Sequence, residues 1–303
     1  MTGPLGRRVA EQGLLTGDGG MGSLLMEAGL GAGACPELYN VDRPDVVEQI
    51  CRDYCEAGAQ LLQTNSFGAS PAKLSGYGLA ERCEELNRAA AAIARRAAGA
   101  DVLVIGSIGP TGQLLEPFGP LSAVEALEGF RRQARALAEG GVDLLCVETM
   151  TDLEEAKLAV TAACETGLEV IATMTFDATP DGPHTIMGNP AAQCATVLVE
   201  AGAAAVGTNC GTGPETMIGF VRALRSAVDA PLLVQPNAGL PELRAGEVCY
   251  PESPGSMAGF VERLVEAGAT IVGGCCGTTP RHIRAIRREI DRLRTTRWPR
   301  AVH

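Results

Sequence analysis

One stretch of sequence decides the fold: Glu266-Ala267-Gly268-Ala269-Thr270-Ile271-Val272-Gly273-Gly274-Cys275-Cys276. It combines a helix that ends at a glycine, a short apolar run and then residues able to bind a metal. The same phrase occurs three more times in the chain. The other copies begin with Glu56-Ala57-Gly58-Ala59, Glu139-Gly140-Gly141-Val142 and Glu200-Ala201-Gly202-Ala203. This recurrence of one helix-to-strand phrase predicts a fold that is built from repeated units.

Four further apolar runs lie outside these copies. They cover residues 14–16, 102–106, 170–174 and 232–235, so that eight short runs mostly alternate with helix-like segments. The runs lack strict polar alternation, which is typical of parallel strands that are covered on both faces. Eight such units in 303 residues predict an α/β protein, a single (β/α)8 TIM barrel. A doubly wound open sheet is the alternative, although it explains a repeat at every second strand less well.

We expect one domain over residues 1–303, with the barrel core at about 14–290 and a basic C-terminal tail at 291–303. Eight arginines lie between Arg281 and Arg300. A solvated final helix with a frayed tail is the plain interpretation of this charge, because charge runs are usually solvated faces. A docking surface for a partner is the alternative interpretation.

The composition excludes several classes of protein. With 46% hydrophobic residues and a net charge of -11, the chain is globular and offers no broad surface for nucleic acid. No apolar stretch is long enough to span a membrane, and no apolar signal segment follows the start. The eleven cysteines are an odd number in a long chain. They indicate a reducing, cytoplasmic setting in which most cysteines are small core residues.

Polar residues follow each predicted strand, where a barrel carries its chemistry. Cys210 follows the sixth strand, and Cys275 and Cys276 follow the eighth. These two strands are near neighbours in a closed barrel, so the three thiols can meet there. Three thiolates with one ligand position left over predict a zinc site that does chemistry. Buried thiols or a disulfide between adjacent cysteines are the alternatives, but such disulfides are strained and rare.

Two carboxylates also lie at predicted strand ends. Asp18 lies in the loop Asp18-Gly19-Gly20, which is either a tight turn or a binding site for an anionic group such as an amino-acid carboxylate. Glu148 ends an apolar strand, where a carboxylate is costly unless it is paired. It forms either a structural ion pair or a contact to a substrate ammonium group. His184 and His282 have no partner in their phrases, so we expect surface or capping roles for them.

Several motifs occur in the order of a known family: Asp18-Gly19-Gly20-Met21-Gly22, Thr64-Asn65-Ser66-Phe67-Gly68-Ala69, Gly109-Pro110-Thr111-Gly112, Asn209-Cys210-Gly211, Pro236-Asn237-Ala238-Gly239 and Gly273-Gly274-Cys275-Cys276-Gly277. With them the chain resembles the homocysteine S-methyltransferase family. Within that family it is most similar to the N-terminal homocysteine-binding modules of cobalamin-dependent methionine synthases. The pairing of a single cysteine with a distant Gly-Gly-Cys-Cys-Gly motif is the most specific part of the resemblance.

The resemblance implies a zinc-dependent enzyme that methylates the thiol of homocysteine to form methionine. It implies that homocysteine is activated as a zinc-bound thiolate, because the thiolate is the nucleophile. It also assigns two sets of residues. The zinc ligands and catalytic residues are Cys210, Cys275 and Cys276, with Asn237 as a displaceable fourth ligand. The substrate-binding residues are Asp18, Gly19, Gly20, Glu148, Asn209 and Asn237.

The resemblance also bears on the methyl donor and the partners. Methylcobalamin on a partner corrinoid protein is the first expectation, S-methylmethionine is the second, and a folate module is a further partner. Betaine fits less well, because quaternary ammonium groups favour aromatic cages and the chain has one tryptophan, four tyrosines and six phenylalanines. Two other functions stay open: a methyltransferase for a different thiol, and a non-catalytic module that binds homocysteine or a corrinoid.

Overall fold

Eight parallel strands form the centre of the molecule. The structure, a computed structural model, describes residues 3–244 and 247–297. In chain order the strands are β1 (Leu15–Thr16), β2 (Leu61–Gln63), β3 (Leu103–Ile108), β4 (Leu144–Met150), β5 (Glu169–Met174), β6 (Ala205–Asn209), β7 (Leu232–Gln235) and β8 (Ile271–Val272). They pair in the order β1-β8-β7-β6-β5-β4-β3-β2, so consecutive strands from β2 to β8 are paired and β8 also pairs with β1.

The sheet closes almost completely into a barrel. At the seam between β1 and β2, the Gln60 N–H donates to the carbonyl oxygen of Thr16 at 2.8 Å, and the Thr16 N–H donates to Oε1 of Gln60 at 3.2 Å. One main helix follows each strand: Pro44–Glu56, Cys83–Ala98, Ala123–Glu139, Leu153–Cys164, Ala191–Glu200, Pro214–Arg225, Val261–Ala267 and Pro280–Arg297. The predicted (β/α)8 barrel is therefore confirmed, and the open sheet is not formed.

The helices begin and end where their sequences predict. The helix Ala123–Glu139 begins at Ser122, which forms a capping box with Glu125, and it ends at Gly140. Phe130 and Leu137 on its inner face are fully buried in the large cluster between strands and helices. Burial of two such side chains contributes about 1.5–3 kcal/mol each, which holds the helix to the sheet more strongly than its caps do.

The inside of the barrel is apolar at the end where the strands begin. Its side chains form one buried cluster that includes Leu15, Leu61, Leu103, Leu144, Ile171, Leu233 and Ile271. An additional helix before β1, Pro4–Gln12, closes this end. It is not one of the eight predicted units. Its Leu5 belongs to the same cluster, and the Leu5 N–H donates to Oε2 of Glu169 at 2.7 Å. The opposite end, where the strands finish, is left for the site.

Two short antiparallel hairpins lie at that opposite end. Asp177–Thr179 pairs with Gly182–His184 after β5, and Glu242–Arg244 pairs with Glu247–Cys249 after β7. Neither hairpin is predictable from the sequence, because strands of three residues carry too little hydrophobic pattern to be recognised.

The last helix extends into the stretch that was expected to be a basic tail. It runs over Pro280–Arg297, and residues 298–303 lie outside the described part of the chain. Several of its arginines are paired: Arg287 with Asp291, Arg292 with Glu289 and Glu262. Within the described residues, no helix is both long enough and apolar enough to cross a membrane.

Candidate metal and substrate site

Three cysteine thiols come together where β6 and β8 end. The Sγ atoms of Cys210, Cys275 and Cys276 all lie within 4.8 Å of one another, and the distance from Cys210 to Cys276 is 3.9 Å. Three ligands of a tetrahedral zinc ion, each at ~2.3 Å, would lie about 3.8 Å apart. The spacing of these thiols therefore fits a metal centre. All three are free thiols, so the alternative of a disulfide between adjacent cysteines is not adopted.

The backbone aims these thiols at one another. Cys210 has a φ of 60°, a left-handed conformation that is rare for residues other than glycine and that turns the chain sharply after β6. The segment 273–279, here called the cysteine loop, is bound to both of its neighbours. The Cys275 N–H donates to the carbonyl of Pro236 at 2.9 Å, and the Gly274 N–H donates to the carbonyl of Asp18 at 2.8 Å. A Cβ at Gly273 would lie 2.7 Å from that Asp18 oxygen, so the approach requires glycine.

The three thiols share their protons unequally. Hydrogen bonds from Cys275 and Cys276 lower the pKa of Cys210 to about 3. The same interactions raise the pKa of Cys276 to about 11 and hold that of Cys275 well above its usual value. Without a metal, the cluster therefore carries one thiolate that two thiols stabilise. A divalent cation would instead favour all three thiolates, since thiolates are the metal ligands.

A pair of buried carboxylates faces the interior beside the thiols. Oδ2 of Asp18 accepts from the Gln63 N–H at 2.7 Å, while Oδ1 finds no hydrogen-bond partner within the described residues. Burial raises the pKa of Asp18 to about 8, and the nearby Glu148 carboxylate adds to this rise. Burial likewise raises the pKa of Glu148 to about 7. Among the described residues no basic side chain shifts the pKa of either group, so two carboxyl groups held out of water form a binding place for a positive group.

Asn209 links the second carboxylate to the metal cluster. Its Oδ1 accepts from the Thr149 N–H at 2.9 Å and from Oγ1 of Thr173 at 2.7 Å. Its Nδ2 donates to Oγ1 of Thr149 at 2.7 Å and to Oε2 of Glu148 at 3.3 Å, and it lies 4.0 Å from Sγ of Cys275. The carboxylate of Glu148 also accepts from the hydroxyl of Ser107. The fully buried Asn209 amide thus fixes the position of the Glu148 carboxylate.

Asn237 touches the cluster from the other side. Its Oδ1 accepts from the Cys276 N–H at 3.1 Å, and its amide is one of the groups that lower the pKa of Cys210. The remaining predicted residues, Gly19 and Gly20, lie on the cavity wall next to these groups. The Gly20 N–H is already used, because it donates to Oγ1 of Thr278 at 3.1 Å.

One cavity of about 330 Å³ is lined by the three cysteines, Glu148, Gly19 and Gly20. Asp18, Asn209 and Asn237 are not among its lining residues and reach it only through the groups that they contact. Among its lining residues in the described part of the chain, none is a lysine, an arginine or a histidine. Several lining residues were not singled out from the sequence: Glu37, Gln63, Ser107, Thr149, Gln235 and Tyr250. Gln63, Ser107 and Gln235 could have been found, because each is an inward-facing polar residue near the end of a barrel strand. Thr149 lies next to Glu148 in β4, whereas Glu37 in a short 3-10 helix and Tyr250 in a loop carry no comparable signal.

The two histidines that were expected to have surface or capping roles lie apart from the cavity wall. His184 lies in the hairpin after β5, where Nδ1 contacts the carbonyl of Gly182 at 3.0 Å. His282 caps the last helix, since Nδ1 accepts from the Thr279 N–H at 3.1 Å.

Both the sequence and the fold of this chain match known proteins. A model of the family described as homocysteine S-methyltransferase matches residues 15–290. The chain belongs to the homocysteine S-methyltransferase family. Its members include two methionine synthases to which the chain is similar. The protein from Mycobacterium tuberculosis is 37% identical over 302 residues, and the one from Mycobacterium leprae is 35% identical over 313 residues.

These matches cover 92% and 95% of the chain but only 25% of each relative, so the chain spans about a quarter of their length. A solved member of the family has nearly the same extent. The homocysteine methyltransferase MmuM from Escherichia coli, in its metallated form, is 26% identical and superposes with a TM-score of 0.79. That match covers 94% of this chain and 99% of MmuM. The family predicted from the sequence is therefore confirmed, and the superposition on MmuM agrees with the predicted TIM barrel.

Proposed function

We propose that this chain is a zinc-dependent S-methyltransferase that converts homocysteine to methionine. One observation carries the proposal: a cluster of three thiols and the buried carboxyl group of Glu148 line a single cavity at the end of the barrel, and the buried Asp18 directly precedes Gly19 of its wall. Homocysteine has a thiol at one end and an ammonium group at the other. Its two ends therefore correspond to the two features of the cavity.

Cys210, Cys275 and Cys276 would hold the metal, and their all-sulfur donor set favours zinc. Bound zinc lowers the pKa of an added thiol and so makes the nucleophile available at neutral pH. Asn237 would serve as the fourth ligand until the substrate sulfur displaces it. Its carboxamide oxygen supports this role, because it already contacts the Cys276 N–H beside the cluster.

The chain's own residues bind and orient the amino acid. Glu148 and Asp18 receive the ammonium group, and the Gly19-Gly20 segment lies against the carboxylate. Asn209 contributes to this substrate site by holding Glu148 through a hydrogen bond of 3.3 Å. Burial of both carboxylates makes their interaction with a cation stronger than it would be in water.

The methyl group is delivered from outside the cavity in the version that we favour, in which methylcobalamin is carried by a partner corrinoid protein. A corrinoid is far too large to enter a space of about 330 Å³, so the methyl group has to be presented at the mouth. Exposed apolar side chains surround that end of the barrel: Met26, Phe67, Leu114, Phe118, Ile186, Leu240, Leu243 and Val248. Such a rim suits a transient protein contact, with a corrinoid or a folate module as the partner.

S-methylmethionine is the second candidate donor, and the cavity itself favours it. This donor carries a positive sulfonium and is small. The absence of basic side chains from the described cavity lining suits a cation, and Glu37 adds a further buried carboxylate there. All of this chemistry needs reduced thiols. We propose a cytoplasmic setting for that reason, in keeping with eleven cysteines that are all free.

The test combines spectroscopy with turnover. Zinc X-ray absorption on the purified protein is expected to show three sulfur neighbours, and a fourth after addition of homocysteine. Methionine formation is measured with free methylcobalamin and, separately, with S-methylmethionine. Cys275→Ala is expected to lose zinc and turnover together, while Cys164→Ala, which removes a free cysteine on a barrel helix, keeps both. Full activity of metal-free Cys275→Ala would refute the proposal.

The same material separates the two rival functions. A methyltransferase for a different thiol would bind that thiol more tightly than homocysteine in calorimetry. A non-catalytic module would bind homocysteine as a fourth sulfur neighbour and yet transfer no methyl group from either donor.

A further inference from the structure

His282 is a buried side chain that the proposed chemistry does not use. It lies in the first turn of the last helix, just after the cysteine loop, and only 7% of its surface is exposed. Nδ1 accepts from the Thr279 N–H at 3.1 Å, and Nε2 lies 3.0 Å from the carbonyl oxygen of Glu252. Helix capping accounts for the first of these bonds but not for the second.

These contacts determine the tautomer of the ring. A backbone N–H can only donate, so Nδ1 must be the acceptor and cannot carry a proton. A carbonyl oxygen can only accept, so Nε2 must carry the proton. His282 is therefore a neutral imidazole with one nitrogen assigned to each bond. Burial supports this state, since it lowers the pKa of the ring, and the neighbouring Arg281 also acts in that direction.

The second bond joins two loops of the site. Glu252 belongs to the segment 250–253, here called the return arm, in which the chain comes back from the hairpin after β7. The return arm is also bound to the loop after β7, where the Glu252 N–H donates to the carbonyl of Ala238 at 2.9 Å. Ala238 in turn donates from its own N–H to the carbonyl of Cys276 at 3.0 Å.

Tyr250 is the residue of the return arm that reaches the metal cluster. It lines the cavity together with Cys276. Its ring lies so close to Gly277 that a Cβ there would be 2.1 Å from Cγ of Tyr250, and Gly277 also has a φ of 75°. The Tyr250 hydroxyl and the Cys276 thiol thus share one part of the cavity wall, where a phenol O–H can donate to sulfur.

We propose that His282 is a positioning residue for the metal centre, which clamps the return arm to the cysteine loop and thereby holds the Tyr250 hydroxyl against the sulfur of Cys276. The proposal rests on the proposed function in one respect, that the three thiols hold zinc. Groups that hydrogen-bond to metal ligands usually affect metal affinity about 10–100-fold when they are removed. The clamp supplies such a group from the return arm, which lies outside the barrel strands.

Two substitutions separate the clamp from the helix cap, because each reproduces the hydrogen bond of only one ring nitrogen. His282→Gln places an N–H where Nε2 was, which preserves donation to Glu252 and loses the cap. His282→Asn places a carbonyl oxygen where Nδ1 was, which preserves the cap and loses donation to Glu252. Both variants are uncharged and their folding is checked by circular dichroism.

The readouts are zinc release to a chromophoric chelator and, in metal-free protein, the rate at which iodoacetamide alkylates Cys276, identified by mass spectrometry. His282→Asn is expected to release zinc about 10-fold faster than the wild type and to expose Cys276 to faster alkylation. His282→Gln is expected to resemble the wild type in both measurements. Tyr250→Phe should accelerate zinc release as His282→Asn does, and the double variant should add nothing further.

The opposite pattern, in which Asn preserves zinc retention and Gln does not, would show that His282 is only a helix cap. Wild-type behaviour of both variants, or additive effects with Tyr250→Phe, would also overturn the clamp. A wild-type protein that binds no zinc contradicts the proposed function instead. The alkylation of Cys276 in metal-free protein would still test the clamp in that case.

Discussion

The two ends of the barrel are built from the same eight strands and are chemically opposite. Along β4, Leu144 faces the interior where the strand begins, and Glu148 faces it where the strand ends. At the first end an apolar cluster is closed by a helix. At the second, buried polar atoms such as Oδ1 of Asp18 and Nε2 of Gln63 have no hydrogen-bond partner among the described residues.

The apolar end therefore contributes mainly to the stability of the fold, and the polar end contributes mainly to ligand binding. Buried apolar groups stabilise the fold, whereas buried polar groups without partners destabilise it until a ligand satisfies them. We therefore expect substitutions at the first end to change stability with little effect on intrinsic activity. Substitutions at the second end should change activity or binding with little loss of stability. Four substitutions, at Cys276, Leu144, Glu148 and Asp18, test this division.

Cys276→Ala is expected to abolish methyl transfer in the zinc-supplemented protein, because two thiolates cannot hold the metal as three do. The unfolding temperature of the metal-free variant should stay close to that of the metal-free wild type. The measurements are methionine formation, zinc content and thermal unfolding followed by circular dichroism. A variant that retained activity, or one that failed to fold without metal when the wild type folds, would contradict the division.

Leu144→Ala tests the opposite end. Removal of this fully buried side chain should lower the free energy of unfolding by about 2–5 kcal/mol, because it leaves a cavity in the apolar cluster. The activity per folded molecule and the KM for homocysteine should be unchanged. Urea unfolding and steady-state kinetics measure the two quantities, and a large change in KM would show that the ends are coupled.

Glu148→Gln keeps the shape and removes the charge at the site end. We expect the KM for homocysteine to rise by roughly 10–100-fold, because a hydrogen bond to a charged group is worth about 1.5–3 kcal/mol. Glu155→Gln is the matched control. That carboxylate is also buried, but it accepts from the N–H of Thr111 at 2.7 Å and does not line the cavity. The control should lose stability and keep its KM, and an equal rise in both variants would refute the assignment.

Asp18 makes the stability of the metal-free protein depend on pH. Its pKa is raised from 3.8 to about 8 in the folded state, so its contribution to stability is complete below pH 3.8 and is lost as the pH rises towards 8. The corresponding slope is up to about 1.4 kcal/mol per pH unit. Urea unfolding between pH 5 and 8 should show that Asp18→Asn gains stability relative to the wild type as the pH rises. A constant difference between the two proteins would contradict this titration.

Much of the architecture was predictable because its determinants are local. The repeated helix-to-strand phrase and the four further apolar runs together placed all eight strands close to their observed bounds, since hydrophobic periodicity and glycine stops are properties of neighbouring residues. The convergence of Cys210 with Cys275 and Cys276 was also predictable. Once the barrel is assumed, the sixth and eighth strands must end close together.

By itself the sequence determined the barrel, the meeting of three thiols and the presence of a carboxylate at the end of β4. Only the tertiary structure decided how Asn209 holds Glu148 and how Tyr250 returns from a distant loop to the cavity beside Cys276. It also decided that His282 bonds to Glu252 as well as capping its helix. The physical reason is that strands and helices follow from interactions a few residues apart. The contacts around the site join residues as far apart as Asn209 and Cys275, and closure of the barrel alone brings those residues together.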